Sequence, residues 1–97
     1  MNALQLIEKI ARHEAIKKDD LLRESLGLYL FDKKREYLRE KAEILARYGV
    51  VSALQLKKAV KTGKVPEHPG WEDFIEVKNI DAEIKETEND LGRLRKA

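Results

Sequence analysis

Apolar positions recur at helical spacing along nearly the whole chain and nowhere alternate with period two. Leu4, Ile7, Ile10 and Ala11, with Leu6 beside them, predict a short helix over roughly 3–14. Ala15 to Asp20 reads as a turn between helices, although no Gly or Pro forces the break and a continuous helix is the alternative. Asp19 and Asp20 stand where first-turn carboxylates favour a new helix N-terminus. From Lys18 the helical pattern runs to Tyr48. Leu21, Leu28, Phe31, Leu38, Ala42 and Leu45 fall on a heptad seam, interrupted by Glu24 and Arg35. Leu22, Tyr29, Leu30, Tyr37, Ile44 and Tyr48 broaden this surface, so the helix is expected to touch more than one neighbour. It would span about 46 Å, and Gly49 supplies its stop.

Ser52-Ala53-Leu54-Gln55 matches a capping box. It predicts a helix over about 53–62 that packs Leu54, Leu56 and Val60 and ends at Gly63. Pro66 to Gly70 is a stiff connector, with Pro69 suited to a first helical position. The last helix is expected over about 70–95. Val77, Ile80, Ile84, Thr87, Leu91 and Leu94 form an unbroken heptad seam on it. Trp71, Phe74 and Ile75 lie just upstream, and Arg93, Arg95 and Lys96 close it with charge that suits a helix C-terminus.

These elements predict an all-α fold: two long helices in a hairpin plus two short ones. The chain is read as a single domain, 1–97, with a short and a long helix in 1–48, a short helix and connector in 49–69, and a C-terminal helix in 70–97. Two long helices bury too little for independent stability, so a coiled-coil-like homodimer or homotetramer is expected. Its interface would use Leu28, Phe31, Leu38, Leu45, Val77, Ile80, Ile84 and Leu91.

Charge sharpens the picture. The 97 residues include 20 Lys and Arg against 18 Asp and Glu. Residues 1–66 carry a net +6 and residues 67–97 a net −4. The acidic part is expected to fold back on the basic part, or else to meet a basic partner. With 39% charged residues and 42% apolar residues, the composition is neither disordered nor that of a membrane protein. The absence of Cys excludes disulfides, a thiol nucleophile and Cys-ligated zinc. No apolar run is long enough for a spanning helix, and Met1-Asn2-Ala3-Leu4 does not open a signal peptide, so a cytoplasmic location is expected.

Catalytic motifs are lacking: no phosphate-cradling glycine loop, no G-x-S-x-G and no H-E-x-x-H. No cofactor or metal is expected. His68, near Glu67, Glu72 and Asp73, is read as a helix-entry residue rather than a metal ligand. Glu40-x-x-Glu43, Asp73-x-x-Glu76 and Glu83-x-x-Glu86 have the spacing with which all-α nucleotide pyrophosphatases hold magnesium. Helical geometry turns Glu40 and Glu43 away from the seam, whereas a bundle metal site needs them inward. Lys33, Lys34, Arg35 and Arg39 are candidate phosphate contacts for an alternative role as a DNA-binding regulator.

The segment Leu6 to Leu30, with Ile7-Glu8-Lys9-Ile10 followed by Asp19-Asp20-Leu21-Leu22-Arg23-Glu24-Ser25-Leu26, resembles the two helices of a ribbon-helix-helix domain. Ala15 replaces the glycine of that family's turn, and the N-terminal strand that reads DNA is missing. The segment Lys41 to Leu56, with Arg47-Tyr48-Gly49-Val50-Val51-Ser52, and Glu67-His68-Pro69-Gly70-Trp71-Glu72-Asp73-Phe74 are similar to small helical antitoxins of prokaryotic toxin–antitoxin pairs. That resemblance implies a non-catalytic antitoxin whose C-terminal helix covers a protein toxin. Trp71, Phe74 and Ile75 would enter a groove, while Glu72, Asp73 and Glu76 face a cationic active site; the alternative reading is that Trp71 and its neighbours cap the hydrophobic core of the bundle.

Overall fold

A computed structural model describes residues 1–96; Ala97, the last residue of the predicted domain, lies outside the described residues. The described residues are all-α: α1 (Ala3–His13), α2 (Lys18–Ala46), α3 (Ala53–Lys61) and α4 (Glu67–Lys96). Two long helices pack against each other, and the short helices attach to them.

Helix α1 starts on a reciprocal cap. The Asn2 side chain accepts from the Gln5 N–H, and the Gln5 side chain accepts from the Asn2 N–H, both at 2.9 Å. It stops through a Schellman turn. The Ile16 N–H donates to the Ala11 carbonyl at 2.9 Å and the Ala15 N–H to the Arg12 carbonyl at 3.2 Å. Ala15 takes the left-handed position, with φ 57°, where a Cβ costs about 1–2 kcal/mol. Ala15→Gly is therefore expected to raise stability by about 1 kcal/mol, part of the relief being offset by the looser unfolded chain. Urea denaturation would show a higher midpoint at unchanged slope; an equal or lower midpoint would mean that the turn carries no strain.

Helix α2 ends at Gly49, with φ 65°, in the expected way. At the start of α3 the Ser52 hydroxyl accepts from the Gln55 N–H at 3.1 Å. The Gln55 side chain accepts from Val51 at 2.9 Å, one residue earlier than a strict capping box requires. The first turn of α4 is broken at His68 (φ −114°, ψ 121°), so the long helix proper runs from the cis-linked Pro69, the predicted first position.

The hairpin is antiparallel and its sides are charged as the sequence implied. Lys41 meets Asp81 at 2.5 Å and Lys34 meets Glu88 at 3.5 Å. Near the far end the Arg23 guanidinium donates to the Leu94 carbonyl at 2.8 Å. The ion pairs are partly exposed and contribute at most about 1 kcal/mol each. Their effect lies in register, with cations on α2 and anions on α4.

The core sits where α2 ends and α4 begins. Ile44, Leu45, Leu56, Val60, Val65, Val77, Ile80 and Ile84 form it, flanked by Tyr37, Tyr48 and Phe74. This corrects the expected oligomer interface. Leu45, Val77, Ile80 and Ile84 are buried within one chain, and Leu91 is half-buried on the same seam. The α4 heptad thus closes the hairpin itself. Leu54, expected to pack, is exposed instead, because α3 buries Leu56 and Val60.

Helix α2 also differs from the expected seam. Apart from Leu45 near its end, which is buried in the core, the residues it turns inward are Gly27, Leu30, Lys34, Tyr37, Lys41 and Ile44, a row that Tyr48 continues just past the helix, each half-buried or buried. They step by 3 and 4, one residue ahead of the predicted seam and so about 100° around the helix from it. Leu28, Phe31 and Leu38 consequently stay open to solvent.

Candidate protein-interaction site

The elbow between α3 and α4 positions the aromatic cluster that the sequence singled out. Val65 is buried, and its N–H donates to the Ala59 carbonyl at 3.1 Å. Gly70 presses on this turn: a Cβ there would lie 2.7 Å from Val65 Cγ1 and 2.9 Å from Val60 Cγ2. Only glycine lets α4 come this close, and that approach sets where Trp71 emerges.

Trp71 is 41% exposed and Ile75, one turn later, 42%. Phe74 is half-buried, its ring centroid 5.2 Å from that of Trp71, and the Lys57 ammonium lies 5.8 Å from its ring centroid. Val60, Lys61, Glu67, His68 and Trp71 line an open cleft of about 490 Å³ beside this shelf. Glu72 and Glu76 are exposed next to it. The carboxyl of Glu72 is held below the usual carboxylate range, first by its own backbone N–H and then by His68, whose Nδ1 lies 2.5 Å away.

Asp73 departs from the expected partner-facing group. It is 8% exposed and turned inward, where the Tyr48 hydroxyl donates to its Oδ2 and Arg47 lies 3.5 Å away. Burial, and then the bond to Asp73, push the Tyr48 hydroxyl up to about 12. Asp73 therefore ties the start of α4 to the end of α2. Nothing in the sequence pointed to this pair, because its members lie on different helices and neither position breaks its local pattern. Trp71, Glu72, Ile75 and Glu76 remain as surface, with Phe74 partly so.

The basic residues proposed for phosphate do not form one row. Lys33 bridges Glu36 at 3.4 Å, which holds its ammonium above the usual range, and Lys34 faces Glu88 on α4. Arg35 and Arg39 share another face and are exposed. Glu40, Glu43, Glu83 and Glu86 all point to solvent, and Asp73 is turned away from Glu76 toward Tyr48. Among the described residues no three His, Asp or Glu side chains converge on a point where a metal ion could sit. No helix among the described residues is long and apolar enough to cross a membrane.

No curated protein and no solved structure matches the chain. A family match spans it from end to end: over residues 1–97 the chain belongs to the Uncharacterized protein MJ0235 family.

Proposed function

We propose that this chain is a non-catalytic protein-interaction module that grips a partner protein at the α3–α4 elbow, and that the partner is a small toxin for which it serves as antitoxin. The observation that carries the reading is the Trp71–Ile75 shelf. Two large apolar side chains stand open on a rigidly packed helix start, with Glu72 and Glu76 beside them. Exposed Trp on a preorganised surface is typical of the anchors that dominate binding energy. Its acidic border suits a basic partner surface. The antitoxin assignment adds the resemblance of residues 41–56 and 67–74 to helical antitoxins.

The test is co-expression of the adjacent reading frame with and without this chain, following growth and co-purification. Arrest by the neighbour alone, relief by this chain and a stable complex are the expected result. Trp71→Ala should then weaken the complex by about 2 kcal/mol, or roughly thirtyfold. Because Trp71 also touches Phe74, Glu76→Lys serves as a second variant that leaves packing intact and should weaken binding through charge. A harmless neighbour that does not co-purify would overturn the antitoxin assignment. Full binding by both variants would overturn the elbow as the contact surface.

A further inference from the structure

The predicted seam of α2 is left without a neighbour by the fold. Leu28 is 68% exposed, Phe31 56% and Leu38 45%, and Glu24, Arg35 and Ala42 complete the row as exposed residues, with Leu21 half-buried at its head. The steps of 3 and 4 between them make a straight stripe along a helix, the form that packs against a second helix. Neither Glu24 nor Arg35 makes an ion pair among the described residues.

The molecule as a whole is also too open for its size. Its radius of gyration is 19.4 Å, against about 12.5 Å for a compact chain of this length. It exposes 7348 Å², where a globular monomer of the same mass exposes about 5,700 Å². The surplus is about 1,600 Å², roughly twice what each partner contributes to a standard interface.

We propose that this chain self-associates as an antiparallel dimer along the Leu21–Ala42 face of α2, with Leu28 seated against Phe31 of the second copy, Leu21 against Leu38, and Glu24 against Arg35. The register follows from the two charged seam positions. In this alignment every large apolar seam residue from Leu21 to Leu38 meets another. Glu24 and Arg35 meet each other twice, once on each side of the two-fold axis. A parallel pairing would set Glu24 on Glu24 and Arg35 on Arg35, which is repulsive. Sliding the antiparallel pair by one heptad sets Arg35 against Phe31 in one direction and Glu24 against Leu28 in the other, leaving a charge on an apolar neighbour. The self-complementary patch meets the requirement of a two-fold interface. It uses neither Trp71 nor Ile75, so the elbow stays free for another partner.

Sedimentation equilibrium of the full chain tests this over a range of micromolar concentrations. The expected mass is twice 11.2 kDa. Phe31→Asp should give the monomer mass with an unchanged helical circular dichroism spectrum, because the side chain is exposed in the single chain. Glu24→Arg and Arg35→Glu should each raise the dissociation constant at least about tenfold by placing like charges together. The double variant Glu24→Arg/Arg35→Glu should restore it. Trp71→Ala should leave the mass unchanged, which separates this interface from the elbow. A monomer mass at all concentrations would overturn the proposal. So would a dimer indifferent to Phe31→Asp. Single charge variants that match the wild type, or a double variant that fails to recover, would overturn the antiparallel register.

Discussion

Leu56→Ala is expected to cost about 2–5 kcal/mol, the range for removing a leucine side chain from a closed core. Leu56 and Val77 are the largest fully buried side chains among the described residues. Leu56 joins the short α3 to residues of both long helices in one cluster. A domain of this size has only about 5–15 kcal/mol in all, so the loss would be a large part of the total. The cavity would open at the junction that also sets the position of Trp71. Urea or thermal unfolding of the two proteins measures the effect. A cost below about 1 kcal/mol would mean that α3 collapses into the space and that the junction is not rigid.

Tyr48→Phe is the second large effect, at about 2 kcal/mol. The substitution keeps the ring but removes the hydroxyl that donates to Asp73. A buried carboxylate is then left with Arg47 alone, at 3.5 Å. The interaction also has a pH signature. The folded Tyr48 is pushed up to about 12, chiefly by burial and then by the bond to Asp73, while the unfolded value lies near 10. A group whose pKa is raised by folding stabilises fully below its unfolded value, and that stability is lost as pH rises through the folded one. The gap between wild type and Tyr48→Phe should therefore be constant up to about pH 9 and shrink between about pH 10 and 12. Lysines titrate in both proteins and cancel in the difference. Unfolding midpoints at pH 8 and at several points above pH 10 would measure it. A gap that stays level across the upper window would rule out a hydroxyl proton held by Asp73.

The candidate site was legible in the sequence only in part. The run from Trp71 to Glu76 stood out in the sequence because it joins an aromatic cluster to acidic residues at a helix start. Which members are surface was not legible there. Asp73 and Glu72 are neighbours of equal charge, yet Asp73 points at Tyr48 and Glu72 at His68 and solvent. Side chains one residue apart on a helix diverge by about 100°. The direction of the partner helix, absent from the local pattern, decides which one is buried.

The sequence by itself determined the four helices and most of their ends. Gly49 and Gly63 stop α2 and α3, Ser52 caps α3, and Pro69 opens the long part of α4. These are local interactions between residues a few positions apart, and composition alone excluded Cys chemistry. Its charge asymmetry left two outcomes open, the acidic part returning along the basic part or meeting a basic partner, and the ion pairs between α2 and α4 show the first. The tertiary structure alone decided which stripe of α2 meets α4. Two apolar rows run along α2 about 100° apart, and either could have served. The row from Gly27 to Tyr48 is the one that meets α4; it places Lys34 and Lys41 opposite Glu88 and Asp81, and Ile44 in the core with α3. That choice buried Val77, Ile80 and Ile84 within one chain and left Leu28, Phe31 and Leu38 open. Heptad spacing identifies a helix face that wants a partner; only packing decides which partner it receives.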